Sequence, residues 1–339
     1  MTHLKILLKC AATFLALSLY GPAVSQATEP TRVVATFSIL GDMAKRIGGK
    51  HLEITTLVGP GGDTHVYKPT PTAARALSEA DVLIVNGLDF EGWLDRLIDA
   101  SDFNGTRSVA TKGVAPISFE DDQDTHTEGE HHDDHDDHGE EHHDDHGDEH
   151  HDDHGEEHAY HHHGAFDPHA WMDPQNAIIY ADNITVALAQ ADPDNAARFY
   201  KNRAAYVAEI QALDADIRKL VAGLADNRRT VVTSHDAFQY FGRTYGLTFI
   251  APQGLSTDSA ASAKGVARLI ERIRAEGISA VFVENIADPR LLQQIAQETG
   301  ATIGGTLYPG ALSGQDGPAP TYLDMMRHNA KTLVHALRS

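Results

Sequence analysis

From Asp194 to Leu224 the sequence reads DNAARFYKNRAAYVAEIQALDADIRKLVAGL, with no proline and no glycine before Gly223. Apolar residues recur through it at helical spacing. Asp194 is placed to cap its start and Gly223 to end it. At about 1.5 Å per residue such a helix runs roughly 45 Å, the width of a whole domain. A segment of that kind is a rigid strut, not a flexible linker. It requires that something fold on each side of it.

Both sides alternate strand-like and helix-like segments. Before the strut, RVVATFS reads as a buried strand, LEITTLVGP and DVLIVNG as strands, and ILGDMAKRIGG, TPTAARALSEA, FEGWLDRLIDA and PQNAIIYADNITVALAQA as helices. After it the pattern returns: RTVVTSHDAFQYFGRTYG parallels RVVATFSILGDMAKRIGG, and SAASAKGVARLIERIRAEGISAVFVEN parallels PTPTAARALSEADVLIVNG. The economical reading is an α/β chain of two (β/α) lobes with parallel sheets, joined by a long rigid backbone helix. Ligands in such lobes bind outside the carboxyl ends of the strands, which puts a site in the interlobe cleft. The chain divides into an N-terminal signal (1–27), a first lobe (28–193), a linking helix (194–224) and a second lobe (225–339). At 339 residues it is long enough for this.

Two segments stand apart. Lys5 and Lys9 precede an apolar run from Cys10 to Tyr20 and a small-x-small pair, Ser25 and Ala27. This is the pattern of a secretory signal cleaved near Ala27, and the run is shorter than the roughly 20 residues that span a bilayer. Cleavage removes the single cysteine, leaving no disulfide and no thiolate ligand. The second segment lies between Glu120 and His163. It holds 20 of the 49 acids, 15 of the 22 histidines and no Lys or Arg. HHDDHG occurs in it at His142 and again at His150. With almost no apolar residues it cannot offset the entropy of ordering, so a disordered insert is expected. The formal charge of −22 belongs to this insert. The remaining chain is nearly neutral, which gives no footing for nucleic acid.

Of the seven histidines outside the insert, His3 goes with the signal, His51 follows a Gly-Gly turn, and His328 and His335 sit on the final helix. The other three lie in loops at the openings of the lobes. His65 is in the Gly- and Pro-rich GPGGDTHVYKPTP, His169 in FDPHAWMDP before a helix, and His235 in VVTSHDAF at the end of the second lobe's first strand. Three neutral imidazoles suit Zn2+, with a fourth position for water or a carboxylate. Asp63, Asp167 and Asp236 are the nearby carboxylates that would orient the rings.

The motifs GGDTHVYKPTP, NGLDFEGWLDRL, DPHAWMDP, SHDAFQYF and GPAPTYLDMMRHN, taken together and in this order, resemble the periplasmic metal-binding components of bacterial zinc and manganese ABC transporters, the cluster with a rigid helical backbone. The resemblance covers nearly all of the mature chain. It implies two lobes with a metal buried between them and carries ligand roles onto His65, His169 and His235. Manganese members typically place a carboxylate where this chain has His235, so histidine there implies zinc. Many members have an Asp in the TLYPGALSG loop as fourth ligand. Counted back from TYLDMM, that position is Gly310 here. The fourth position then falls to water, to Asp316 if its loop folds inward, or to an insert histidine. Acid-histidine inserts of this kind are, by the same resemblance, a mark of zinc members.

The function expected is capture of Zn2+ in the periplasm and its delivery to an inner-membrane ABC permease by a monomer, with a periplasmic zinc chaperone as a further partner. Alternatives in other classes are a manganese or other divalent-metal protein or adhesin of the same fold, and a zinc hydrolase. No H-E-x-x-H helix and no Ser or Cys nucleophile motif supports the last. The insert is expected to concentrate zinc near the cleft through its charge.

Overall fold

The structure, a computed structural model, describes residues 29–118 and 166–338. The expected signal and the acid-histidine insert lie outside the described residues. The first lobe runs β1 (Thr31–Phe37), α1 (Ser38–Gly48), β2 (Leu52–Val58), α2 (Pro71–Ser78), β3 (Val82–Val85), α3 (Leu94–Asp99), β4 (Thr106–Val109) and α4 (Pro174–Ala191). Then come α5 (Ala196–Val221) and the second lobe: β5 (Thr230–Val232), α6 (Gln239–Tyr245), β6 (Thr248–Ile250), α7 (Ala263–Glu276), β7 (Ala280–Glu284), α8 (Arg290–Thr299), β8 (Thr302–Leu307) and α9 (Tyr322–Arg338).

The internal recurrence of the sequence is a recurrence of topology. The first sheet has the order β2-β1-β3-β4 and the second β6-β5-β7-β8, with every pairing parallel. Strands covered on both faces by helices need near-continuous apolar sequence. Accordingly all four residues of β3, VLIV, are buried, as are six of the seven in β1. The edge strand β4, TRSV, carries no such run, which is why the sequence pattern does not reveal it.

Helix α5 is the strut, with 26 residues and a length of about 39 Å. One face buries Phe199, Tyr206, Ile210, Leu213, Ile217 and Val221, at the three- and four-residue spacing of a helix. Its entry differs from expectation. Asp194 does not cap it; the chain enters through a 3-10 turn, Pro193–Asn195, and Asp192 accepts the Asn195 N–H at 3.2 Å. Pro193 occupies the first turn position, where proline is favoured, and so moves the cap back to the residue before it. Helix α4 shows the same arrangement, with Asp173 accepting from the Gln175 N–H at 2.8 Å just before Pro174.

The lobes are not separate bodies. One continuous apolar core contains Phe37, Trp171 and Tyr180 of the first lobe and Phe241, Leu307 and Met325 of the second. Buried polar groups cross with it: Trp171 Nε1 donates to the Pro309 carbonyl at 2.8 Å, and the Tyr322 hydroxyl donates to the Trp171 carbonyl at 2.8 Å. Such an interface fixes the strand ends of the two sheets against each other.

Candidate metal centre

His65 sits in the loop between β2 and α2. Asp63 Oδ1 accepts the His65 backbone N–H at 3.0 Å, a local turn of the kind aspartate favours. Trp93 Nε1 pins the same loop by donating to the Thr64 carbonyl at 2.9 Å. His169 precedes α4 and is built the same way: Asp167 Oδ1 accepts its backbone N–H at 2.9 Å and its ring Nδ1–H at 2.8 Å. Asp-x-His thus occurs twice with one backbone geometry, but only the second aspartate reaches the ring. His235 lies three residues beyond β5. Glu284, the last residue of β7, accepts the N–H groups of Ser234 and His235 through Oε1 at 3.0 and 3.2 Å, and the ring Nδ1–H through Oε2.

These three loops bring the rings together. His65, His169 and His235 form the only group of three or more potential ligand residues found among the described residues, with their ligand atoms all within 4.8 Å of one another. The Nε2 atoms of His65 and His169 are 3.3 Å apart. His235 Nε2 is buried and has no hydrogen-bond partner. Because Nδ1 of His169 and of His235 donates to a carboxylate, each ring directs an Nε2 lone pair at the others. Bare lone pairs facing one another are unfavourable until a cation stands between them, so the donor set fits a divalent metal. His169 and His235 are fully buried, and His65 is half-buried. Phe90 packs edge-on to His65 at 4.9 Å between ring centroids, and Trp171 to His169 at 5.3 Å, forming an apolar wall.

Burial, reinforced by the neighbouring imidazoles, holds His65 and His169 well below the ordinary histidine range. Burial would also lower His235, but the charge and hydrogen bond of Glu284 turn it upward. Burial raises Asp167 to about 7. Two of the three ligand candidates are therefore neutral, ready donors at neutral pH, and the third holds a proton more tightly than they do because Glu284 stands against its ring.

The structure corrects the expected surroundings. Asp236 does not orient His235; its carboxylate accepts from Gln239 Nε2 at 2.5 Å, and Glu284 takes the ring instead. Asp236 lies one residue from His235 in sequence, but its side chain turns toward α6. Glu284 went unremarked in the sequence, although an acid closing the apolar strand AVFVE is the signal that marks it. Asp316 is exposed and outside the cluster. Gly310 is buried, and a Cβ there would meet only Ile286, at an ordinary 3.7 Å. The insert histidines lie outside the described residues, but its flanks do not. Ser118 and Phe166 pair in an antiparallel bridge, and Phe166 lines a cavity of about 340 Å³ together with His65, Phe90 and Pro168.

The chain matches the family model described as zinc-uptake complex component A, periplasmic, over residues 33–336. It is 32% identical over 321 residues to the manganese-binding lipoprotein MntA of Bacillus subtilis, covering 93% of this chain and 92% of that one. It is 29% identical over 310 residues to the iron-binding protein YfeA of Yersinia pestis, covering 91% and 87%. Among solved structures, the periplasmic zinc binding protein TroA from Treponema pallidum superimposes with a TM-score of 0.76 at 25% identity, over 91% of this chain and 99% of that one.

Proposed function

The chain belongs to the family of periplasmic zinc-uptake component A proteins, substrate-binding components of metal ABC transporters and not enzymes, and from that premise we propose that its cargo is Zn2+. His65, His169 and His235 capture the ion outside the inner membrane and release it to the transporter's permease. The observation that carries this reading is the donor set: three imidazoles whose Nε2 atoms converge, with no carboxylate among them. Nitrogen-rich, tetrahedral sites favour zinc, whereas manganese favours oxygen donors. Water takes the fourth position. Export through the N-terminal segment belongs to the same proposal, as does the insert's role in raising zinc concentration at the cleft mouth, where Phe166 stands beside His65.

The competing cargo is manganese or iron, which relatives of this chain are named for. Calorimetric titration of metal-stripped protein separates the two. One tight zinc site is expected, lost in His169→Ala, with manganese bound far more weakly. Tighter binding of manganese, or zinc binding indifferent to His169→Ala, would overturn the assignment.

A further inference from the structure

The three candidate ligands are not held equally. His169 and His235 each have a carboxylate on the ring from their own lobe, whereas the Asp63 carboxylate holds only the backbone of His65. His65 is also the half-buried one, on a loop containing Gly59, Pro60, Gly61 and Gly62. Asp63 has a second bond. Its Oδ2 accepts the hydroxyl of Thr257 at 2.5 Å, 194 residues away in the second lobe.

Thr257 belongs to the segment 251–262 between β6 and α7. Its beginning is rooted at a ligand of the other lobe: Gln253 forms a parallel bridge with His235, and the Asp236 N–H donates to the Gly254 carbonyl at 3.1 Å. From there it crosses the outside of the cleft as a strap. Leu255, Ser256 and Asp258 line the cavity of about 340 Å³ that contains His65. Gln253 and Thr257 line another, of about 540 Å³, that contains Asp63 and Ser234. With open volume along both sides, little else ties the strap to the first lobe. Among the described residues, the Thr257 bond to Asp63 is the one hydrogen bond that does so.

We propose that Thr257 and Asp63 form a retention clasp: the strap anchored at His235 holds the His65 loop against the bound metal, and opening it is the step that lets the ion leave. Thr257 is a positioning residue. Its hydroxyl bonds to the Asp63 carboxylate and not to a ligand ring, and it acts through that carboxylate on the backbone that sets where His65 points. A hydroxyl bonded to a carboxylate is among the stronger side-chain hydrogen bonds, and changes of this kind are expressed mainly in dissociation rates. The clasp rests on the reading of His65 as a ligand but not on the identity of the metal.

The test is stopped-flow release of metal from the full chain into excess chelator, for wild type, Thr257→Val and Thr257→Ser, with zinc and with manganese. Thr257→Val, which keeps the shape and loses the donor, is expected to release metal about tenfold faster. Thr257→Ser, which keeps the hydroxyl, is expected to stay within about twofold of wild type. Equal release rates for Thr257→Val and wild type, with whichever metal is tightly held, would overturn the clasp. So would acceleration in Thr257→Ser as large as in Thr257→Val. Tight retention of manganese instead of zinc would break the cargo assignment alone, since the ratio between variants still reads the clasp.

Discussion

In the first lobe a buried carboxylate, Glu91, accepts the N–H groups of Asn86 and Gly87, just beyond β3, and the hydroxyl of Thr36 in β1. In the second lobe Glu284, at the end of β7, accepts the Ser234 and His235 N–H groups and the His235 ring. Sheet order is the same around both. What differs is the central strand. β1 passes directly into α1 at Ser38, whereas β5 ends at Val232 and the loop 233–238 intervenes before α6. That loop frees two backbone N–H groups and a ring at the strand end, and the buried acid that serves only backbone and hydroxyl in one lobe holds the ring of a candidate ligand in the other. Repeated topology supplies the place for a carboxylate. The local chain decides whether it stabilises the fold or the site.

The largest expected effect comes from removing a proposed ligand. His235→Ala should weaken zinc binding by roughly a hundredfold or more, since three donors share the affinity of the site. His328→Ala, on α9 and remote from the cluster, should leave it unchanged. Competition against a chromophoric chelator measures both. Next comes the comparison of the two acids. Glu284→Gln should cost about 10- to 100-fold in zinc affinity, the usual effect of losing a partner that orients a ligand. Glu91→Gln should leave affinity alone but lower stability by about 1–3 kcal/mol, read as a shifted thermal or denaturant midpoint. Equal effects of the two substitutions on zinc binding would erase the distinction between the lobes.

A pH titration sharpens the same contrast. Protons compete with metal for imidazole Nε2, so the groups that bind a proton most tightly in the metal-free protein set where affinity begins to fall. His235 lies above the ordinary histidine value and Asp167 at about 7, while His65 and His169 lie well below that value. Zinc affinity should therefore decline as pH falls through about 7 and below, with Asp167 and His235 taking up the protons. Calorimetry in buffers of different ionisation enthalpy should record proton release on zinc binding near neutral pH. An affinity flat across this range would contradict the assignment. The smallest effect is expected from deleting 120–163, feasible because Ser118 and Phe166 are already paired. The tight site should keep its affinity within about twofold, while weak binding equivalents disappear.

Much of this architecture is legible in the residues. The helix over Pro174–Ala191 coincides with PQNAIIYADNITVALAQA because Asp173, Pro174 and the apolar spacing all specify the same ends. The strut is legible for the same reason, apart from its first turn, where Pro193 overrides Asp194. Short β4 is not legible, because an edge strand of four residues leaves no periodicity to read. At the site, Asp167 could be named from its position two residues before His169, a local turn that sequence spacing encodes. Glu284 could not be paired with His235, because 49 residues separate them and only the parallel neighbours β5 and β7 bring them together.

The sequence by itself determined the two βα repeats, the rigid helix between them and the three isolated histidines at loop openings, because periodicity, caps and turn residues act over a few positions of chain. Tertiary structure decided that those histidines converge, that Glu284 and not Asp236 holds the third, that Asp316 stays outside, and that Thr257 reaches across to Asp63. Each of those contacts joins residues distant in sequence through the packing of one lobe's strands or of the two lobes against each other, and no local pattern carries that information.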